Sequence, residues 1–454
     1  MYRSPPVISE HSVTFVVLHA YPDPAVGAKR VSELANHLAN RGWRVSVICS
    51  EGPFPTAGGT LKTSILRSGI PIPRTIYSYC RPLVPTALRR SESDVAGQSR
   101  AAGPTAADST VRRRGLIDTL RHAFLDVTLL VDRYKLWSCK AFLRTWFNSR
   151  TRQPDVLVCS GPAWSTVVAG VLAARLLRIP LLLDFRDPWW DDQFPSSAFS
   201  TRIIRRLERW CVHQSSAITC TSNGIADALK ARYPSLSVPI EVVRNGFDRD
   251  DELHDDPPTT ELRILFAGTI YLNRSPMPLL EGVRLLIQES GVSSDQVHVT
   301  LVGACEEWNG ISLAKWARGN GLERNVSVRP SVSQSEVRQL TAQSNVLANF
   351  CQGQKKMIPA KLFEQIAARR RILLFAEPDS EAAACSSHLS LVTRLDDDAV
   401  AVRDALIRIH REVTQQDACG RDSDAEIHEY SRAHSNQTME RILSNIASRQ
   451  PTSG

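Results

Sequence analysis

Long apolar runs are missing from this sequence. Nowhere in its 454 residues do the ~18 uncharged apolar residues of a membrane-spanning helix follow one another. The first residues, Met1 to Pro6, form no apolar signal segment. None of the ten cysteines pairs with another at C-x-x-C spacing, so there is no zinc signature and no reason to infer disulfides. These absences predict a cytoplasmic protein.

Several nucleotide-binding signatures are also absent. The first strand is not followed by G-x-G-x-x-G, which disfavours a nicotinamide dehydrogenase, and no P-loop lysine motif occurs. A basic-aromatic motif that would stack or read bases is missing, so we expect no nucleic-acid partner. The net charge of +8 nevertheless indicates an anionic partner, such as nucleotide phosphates or an acidic membrane surface.

Apolar strand-like runs alternate with helical patterns along almost the whole chain, which is typical of parallel sheets covered by helices. The length favours two domains. We expect an N-terminal domain over residues 1–248 and a C-terminal domain over 249–424, each α/β and Rossmann-like, with an acidic, proline-ended connector between them. A long helix and tail, 425–454, is expected to cross back over the N-terminal domain.

One region interrupts this pattern. Residues 89–115 are rich in Ser, Ala, Gly and Arg with few large apolar side chains, which predicts a disordered basic insertion. Residues 116–147 interleave Leu, Phe, Val and Trp with Arg and Lys, which predicts helix. That segment is either a pair of helices packing on the first sheet, the favoured alternative, or a basic amphipathic helix on an anionic membrane, at the inner face of the plasma membrane.

Two clusters in the first half have residue types suited to a ligand. Gly27 opens the first helix, where backbone N–H groups can meet an anion, although an ordinary strand-to-helix turn explains a single glycine as well. Asp184, Arg186 and Asp187 follow a buried strand at its carboxyl end, where open α/β sheets bind ligands. The alternative is a clamp that only orders the loop. The adjacent Trp189 and Trp190 are either loop packing or a ligand platform.

The second half offers two more clusters. A loop with Gly268, Thr269, Tyr271 and Arg274 follows the first strand there, a collection suited to a diphosphate. Later, Pro359 precedes a helix on which Lys361 and Glu364 share one face. That lysine could hold a phosphate and that glutamate ribose hydroxyls, or both could form a solvated surface pair.

In this order the motifs resemble the glycosyltransferase family 4-like proteins of GT-B fold. The shared patterns are G-x-x-[KR] at a helix start, D-x-R-D-x-W, N-G-x-D, F-x-G-T-x-Y-x-x-R and P-x-K-x-x-E. The resemblance implies two Rossmann-like domains facing each other across a cleft. It also implies a retaining, metal-independent transfer of a hexose or related sugar from a nucleotide-diphosphate sugar to a glycan, lipid or polysaccharide-precursor acceptor.

The resemblance also implies roles for single residues. Arg274 and Lys361 would hold the diphosphate, and Glu364 the ribose. Gly27 would lie against the donor, and Arg186 with Asp187 would touch the donor sugar or the acceptor. The remaining donor-binding residues would be Gly268, Thr269 and Tyr271. No cofactor is implied beyond the nucleotide sugar as co-substrate, and no metal site, because no D-x-D motif lies near the donor residues.

The pattern departs from the family at one position. Many relatives carry two glutamates eight positions apart, and Lys356 stands where the first would be. Two alternatives therefore remain beside the transferase: a catalytically silent GT-B protein that binds or acts as a scaffold, and a nucleotide-sugar epimerase of the same fold.

Overall fold

The computed structural model describes residues 11–20, 26–49, 64–67, 131–132, 134–190, 198–253, 261–271, 273–414 and 422–448. The predicted insertion at 89–115 and the first part of the helical segment, 116–130, lie outside these residues. The described chain divides into two compact units. The first runs to Asn245 and takes up the chain again at Arg432, and the second comprises Gly246–Ser431.

The first unit is built on a seven-stranded parallel sheet of order β3-β2-β1-β4-β5-β6-β7. Its strands are β1 Ser12–Val16, β2 Arg44–Cys49, β3 Ser64–Arg67, β4 Val156–Gly161, β5 Leu181–Phe185, β6 Ala217–Cys220 and β7 Ile240–Val242. Every residue of β1, β4 and β5 is buried. This burial explains why they are near-continuous apolar runs, since parallel strands are covered on both faces.

Among the described residues, six helices accompany this sheet: α1 Val26–Asn40, α2 Lys135–Thr151, α3 Trp164–Leu177, α4 Ala198–Gln214, α5 Asn223–Arg232 and the C-terminal α13 Arg432–Ala447. Buried apolar side chains of α1 recur at i, i+3, i+4 and i+7, and they pack with Met439, Ile442 and Leu443 of α13 in one core. The last helix of the chain thus belongs to the first unit.

The second unit has a six-stranded parallel sheet of order β12-β9-β8-β13-β14-β15 and a small antiparallel ribbon, β10-β11. The strands are β8 Leu262–Ala267, β9 Val297–Val302, β10 Glu307–Trp308, β11 Ile311–Ser312, β12 Val326–Arg329, β13 Val346–Phe350, β14 Arg371–Phe375 and β15 Val392–Leu395. The helices are α6 Met277–Glu289, α7 Leu313–Gly319, α8 Gln334–Ala342, α9 Ala360–Ala367, α10 Glu381–Ser386, α11 Ala399–Thr414 and α12 Asp424–His428.

The predicted α/β class with two Rossmann-like halves is confirmed, and the apolar strand-like runs form the parallel strands of both sheets. The sequence pattern missed β3, a four-residue strand with only two apolar residues, and the two-residue strands of the ribbon. The prediction of a single helix from residue 425 was wrong. The chain forms α12, turns at Glu429–Ser431, and only then begins α13.

The helical segment predicted over 116–147 is helical where the structure describes it, and α2 packs against α3. Ser138 Oγ lies 2.8 Å from Ser165 Oγ near the start of both helices. Within the described ranges, no helix combines the length and the apolar character that crossing a bilayer requires.

Candidate functional site

Strand order points to one place in each sheet. In the first sheet the order reverses between β1 and β4, and in the second between β8 and β13. Ligands of open α/β sheets bind at such switch points, beyond the carboxyl ends of the strands. The loops after β1, β4, β8 and β13 contain most of the residues that the sequence singled out, together with the loop after β5.

Asp184 is the most buried charge in the first of these places. It lies in β5 and accepts two hydrogen bonds from Arg30 of α1, at 3.1 Å and 2.9 Å. Ser160 and Thr219 donate to it at 2.8 Å and 2.9 Å. Although burial alone raises the pKa of this carboxyl, the charge and hydrogen bonds of Arg30 and the two hydroxyls lower it overall. With both oxygens satisfied, Asp184 is a structural anchor.

Arg30 extends that anchor to the end of the first unit. Its remaining N–H groups donate to the carbonyl oxygens of Val243 and Arg244, both at 2.9 Å. One buried ion pair therefore holds the start of α1, the strand β5 and the chain entering the Asn245–Gly246 turn. In the sequence, Arg30 is visible only as the last residue of the G-x-x-[KR] pattern, which does not indicate this role.

Arg186 turns away from the anchor toward the start of α1. Its Nε donates to the carbonyl oxygen of Gly161 at 3.1 Å, and its Nη2 donates to that of Pro162. A β-carbon on Gly27 would overlap with the guanidinium, so the glycine is required for this close approach. The structure therefore brings together Gly27 and Arg186, which the sequence analysis had named in separate clusters.

Asp187 lies beside Arg186 and is exposed at the surface. Desolvation by the surrounding loop raises the pKa of its carboxyl, and the Arg186 charge opposes that shift. Burial lowers the pKa of the Arg186 guanidinium, with Asp184 and Asp187 acting in the other direction. Arg186 and Asp187 thus present a partly desolvated charge pair at the carboxyl edge of the sheet.

The two tryptophans of this loop hold it in place. Trp189 stacks on Trp164 with ring centroids 4.7 Å apart. Trp190 has the guanidinium carbons of Arg205 at 3.8 Å and Arg232 at 4.9 Å from its ring centroid. These contacts favour the loop-packing alternative over a ligand platform.

In the second unit, two glycines allow the loops after β8 and β9 to approach closely. Gly303 has φ +121°, and a β-carbon there would overlap with the backbone oxygen of Gly268. The Cε of Lys361 lies 3.7 Å from where a β-carbon on Gly268 would be. The predicted residues Gly268 and Lys361 are therefore neighbours. Gly303 was missed, although a glycine directly after a buried strand was the available signal.

Arg274 ends the loop after β8 and is half-buried. Its guanidinium carbon lies 4.6 Å from the ring centroid of Tyr271, which is itself 57% exposed. Desolvation lowers the pKa of Arg274, although Cys351 and Tyr271 oppose the shift. Neither Arg274 nor Lys361 has an ion-pair or side-chain hydrogen-bond partner among the described residues. Two uncompensated cations thus lie at the carboxyl edge of this sheet.

Helix α9 contributes its start to the same edge. Pro359 precedes it without a side-chain cap, so its first N–H groups receive no capping oxygen. Glu364 lies one turn inside the helix and is partly buried, and Thr269 is exposed beside Gly268. The positive end of the helix dipole, the N–H groups of the first turn and Lys361 all favour the binding of an anion here.

The loop after β13 holds these parts together. Gln352, buried after β13, donates to the carbonyl oxygen of Ser275 at 3.1 Å and to Asp397 at 2.9 Å. The N–H of Gly353 donates to Glu377 at 2.9 Å, while the other oxygen of that carboxylate is buried without a partner. No sequence motif indicated these residues, because their roles depend on contacts between distant loops.

Within the described ranges, no group of three or more His, Cys, Asp or Glu side chains is arranged to hold a metal ion. Residues 27–246 match the family described as "Glycosyl transferase 4-like domain". This half of the chain is a glycosyl transferase 4-like domain. The match includes Gly27, Arg30, Asp184, Arg186 and Asp187, and it confirms the resemblance on which the sequence analysis relied.

Solved structures similar to the whole chain extend this result. Sucrose-phosphate synthase from Thermosynechococcus elongatus has a TM-score of 0.61 at 12% identity, with 97% of this chain and 100% of that chain covered. Alr3699/HepE from Anabaena in complex with UDP has a TM-score of 0.59 at 12% identity, covering 96% and 100%. Trehalose 6-phosphate synthase from Burkholderia multivorans has a TM-score of 0.56 at 11% identity, covering 97% and 99%.

At such low identity these likenesses show the fold, and the fold is GT-B. In this chain the glycosyl transferase 4-like domain is followed by a second Rossmann-like unit. A comparison with curated protein sequences gives no match.

Proposed function

We propose that the protein is a retaining glycosyltransferase that moves a sugar from a nucleotide-diphosphate sugar to a glycan, lipid or polysaccharide-precursor acceptor. The glycosyl transferase 4-like domain and the GT-B fold support this class of reaction. Two of the similar structures, both of Alr3699/HepE from Anabaena, contain UDP and UDP-glucose, which supports a nucleotide sugar as the donor.

The uncompensated pair Arg274 and Lys361 is the observation that carries the proposal. A half-buried guanidinium without a counter-charge is costly, because desolvation disfavours the charged form. A diphosphate bound beside Gly268 and the start of α9 would remove that cost for Arg274, and the exposed Lys361 would add a second positive charge to the same site. Glu364, one turn into the same helix, is then proposed to accept hydrogen bonds from the ribose hydroxyl groups.

These two cations also supply the chemistry that we propose. As the bond between the sugar and the diphosphate breaks, negative charge accumulates on the departing diphosphate. Arg274 and Lys361 stabilise that charge from fixed positions, so they lower the energy of the transition state more than that of the bound donor. Because they provide the positive charge, we expect turnover to survive chelation of divalent metals.

Residues of the first unit are proposed to act in the same reaction. Gly27 and the Arg186–Asp187 pair are proposed to face the donor sugar or the acceptor, since they lie at the switch point of their own sheet. We propose a reducing, cytoplasmic setting, because the eight cysteines of the described chain are all free thiols and seven of them are buried.

The test is a panel of nucleotide-diphosphate sugars, first by thermal shift and then by turnover with glycan and lipid extracts. A bound donor should raise the melting temperature, because the ligand stabilises the native state. Sugar transfer with release of the nucleotide diphosphate is the expected product. Donor binding without turnover would favour the silent alternative, and a changed sugar on an intact nucleotide would favour the epimerase. No shift with any donor would overturn the assignment.

A further inference from the structure

Three helices of the first unit form one layer, here named the outer helical layer: α2, α3 and α4. The two helices α2 and α3 run side by side in the same direction. Ser138 meets Ser165 near their starts, and Gln153 donates to the carbonyl oxygen of Leu177 near their ends at 3.0 Å. On the other side of α3, Arg175 donates to Gln214 of α4. The side of the layer away from the sheet faces solvent.

Large apolar side chains are concentrated on that side. Eight large hydrophobic residues are exposed in the described ranges, and five of them lie on α2 and α3: Leu136, Leu143, Phe147, Leu172 and Leu176. Leu136 and Phe147 are 62% and 63% exposed. Positions 136, 143 and 147 fall on one helix face, as do 172 and 176. Scattered exposed leucines need no explanation, but a cluster on one surface indicates an interaction site.

The exposed charges of the three helices themselves have one sign, and Asp132, just before α2, accepts hydrogen bonds from the N–H and Oγ of Ser165. Neither α2 nor α3 contains an Asp or Glu, and the single acid of α4, Glu208, is fully buried and paired with Arg232 at 2.6 Å. The exposed or partly exposed Lys and Arg residues of the three helices are Lys135, Lys140, Arg144, Arg150, Arg175, Arg202, Arg205, Arg206 and Arg209. The outer helical layer therefore combines exposed leucine and phenylalanine with an excess of positive charge.

We propose that the outer helical layer binds the surface of a bilayer containing anionic phospholipids. Leucine and phenylalanine side chains enter the boundary between headgroups and acyl chains, and arginines contact the lipid phosphates. A nucleic acid would match the charge but leave the five apolar side chains in water. A second copy docked through the same face would set positive charge against positive charge. A bilayer satisfies both components, and this contact is independent of the proposed donor site.

The experiment is flotation of the purified full-length chain with vesicles of phosphatidylcholine alone or of phosphatidylcholine mixed with phosphatidylglycerol. We expect binding only to the anionic vesicles, weakened by salt. The variant Leu136→Gln/Leu143→Gln/Phe147→Gln should lose binding. The control Val400→Gln, an exposed apolar residue on α11 of the second unit, should keep it. Each of Arg202→Gln, Arg206→Gln and Arg209→Gln should weaken binding by about fivefold.

Melting temperatures of all variants establish that the fold is intact, and the wild-type comparison of the two vesicles needs no variant at all. Absence of wild-type binding to anionic vesicles would overturn the proposal. Equal binding of the triple variant and the wild type would do the same. Binding of single-stranded RNA that depends on the arginines but not on Leu136, Leu143 and Phe147 would assign the surface to nucleic acid instead.

Discussion

Both units have charged residues near the carboxyl edge of a parallel sheet, but these charges are compensated in only one of the units. In the first unit, Arg30 and Asp184 are buried and satisfy each other, with further hydrogen bonds from Ser160 and Thr219. In the second, Arg274 and Lys361 have no counter-charge among the described residues. The first arrangement holds the fold together, and the second leaves positive charge for a ligand to neutralise.

The difference shows why a charge after a buried strand cannot be interpreted from sequence alone. Asp184 follows three buried leucines and looks like a site residue, but its partners are fixed inside the protein. Lys361 is an exposed lysine, yet its Cε lies only 3.7 Å from where a β-carbon of Gly268 would be, in the loop after β8. Whether a charge is structural or functional depends on its compensation, which only the structure reveals.

The largest effect is expected from breaking the compensated pair. Asp184→Ala leaves the Arg30 guanidinium buried without a counter-charge, which should cost about 3–5 kcal/mol of unfolding free energy. The melting temperature should fall by roughly 10 °C, measured by calorimetry. Asp227→Ala is the matched control, because its 3.4 Å pair with Lys230 is exposed and should contribute well under ~1 kcal/mol. An equal effect of both substitutions would contradict the anchoring role.

The next effect concerns the backbone of the second unit. Gly303→Ala places a β-carbon on a residue with positive φ, where it overlaps with the backbone of Gly268. Because the overlapping atoms are backbone atoms, no side-chain movement can relieve the overlap. We expect a loss of about 2–3 kcal/mol of unfolding free energy together with weaker nucleotide binding. Gly319→Ala serves as the control, since a β-carbon there would meet nothing within 4 Å. Unchanged stability of Gly303→Ala in denaturant titrations would show that the loops are not tightly packed.

A smaller effect should appear as a pH dependence of the compensated pair. The pKa of Asp184 is lowered in the folded state, so below ~3.9 the unfolded chain binds a proton that the folded chain does not. Stability from this group is present above that pH and is lost as the pH falls through the folded pKa. In the acid range between the folded and unfolded pKa values, Asp184→Asn should reduce the slope of unfolding free energy against pH by up to about 1.4 kcal/mol per pH unit. Identical acid unfolding slopes for the variant and the wild type would show that Asp184 is not the group responsible.

Much of the fold could be predicted from the sequence. The strands of both sheets are apolar runs because helices cover both faces, and they were recognised for that reason. The edge strand β3 was missed because four residues, Ser64–Arg67, give no clear pattern. The prediction of a single C-terminal helix was wrong, because the helix is interrupted at Glu429–Ser431. There the hydroxyl of Tyr430 donates a hydrogen bond to the carbonyl oxygen of Cys385.

The candidate site could be predicted only in part. Gly27 with Arg186, and Gly268 with Lys361, were named separately and proved to be neighbours. Arg30, Gly303 and Gln352 were missed as contributors, because each acts through a partner more than 30 residues away in the chain. Sequence spacing within one helix or loop reveals local pairs, whereas contacts between loops of a parallel sheet follow from strand order.

Calorimetric titration of nucleoside diphosphates tests the central difference most directly. UDP, ADP and GDP would each be titrated into the wild type, Lys361→Ala, Arg274→Ala and the control Lys315→Ala, an exposed lysine on α7. We expect at least one nucleotide to bind the wild type and Lys315→Ala equally. Affinity should fall about 10- to 100-fold in the other two variants, with unchanged melting temperatures of the free proteins. Equal dissociation constants in all four proteins would contradict the claim that the uncompensated cations bind the donor diphosphate.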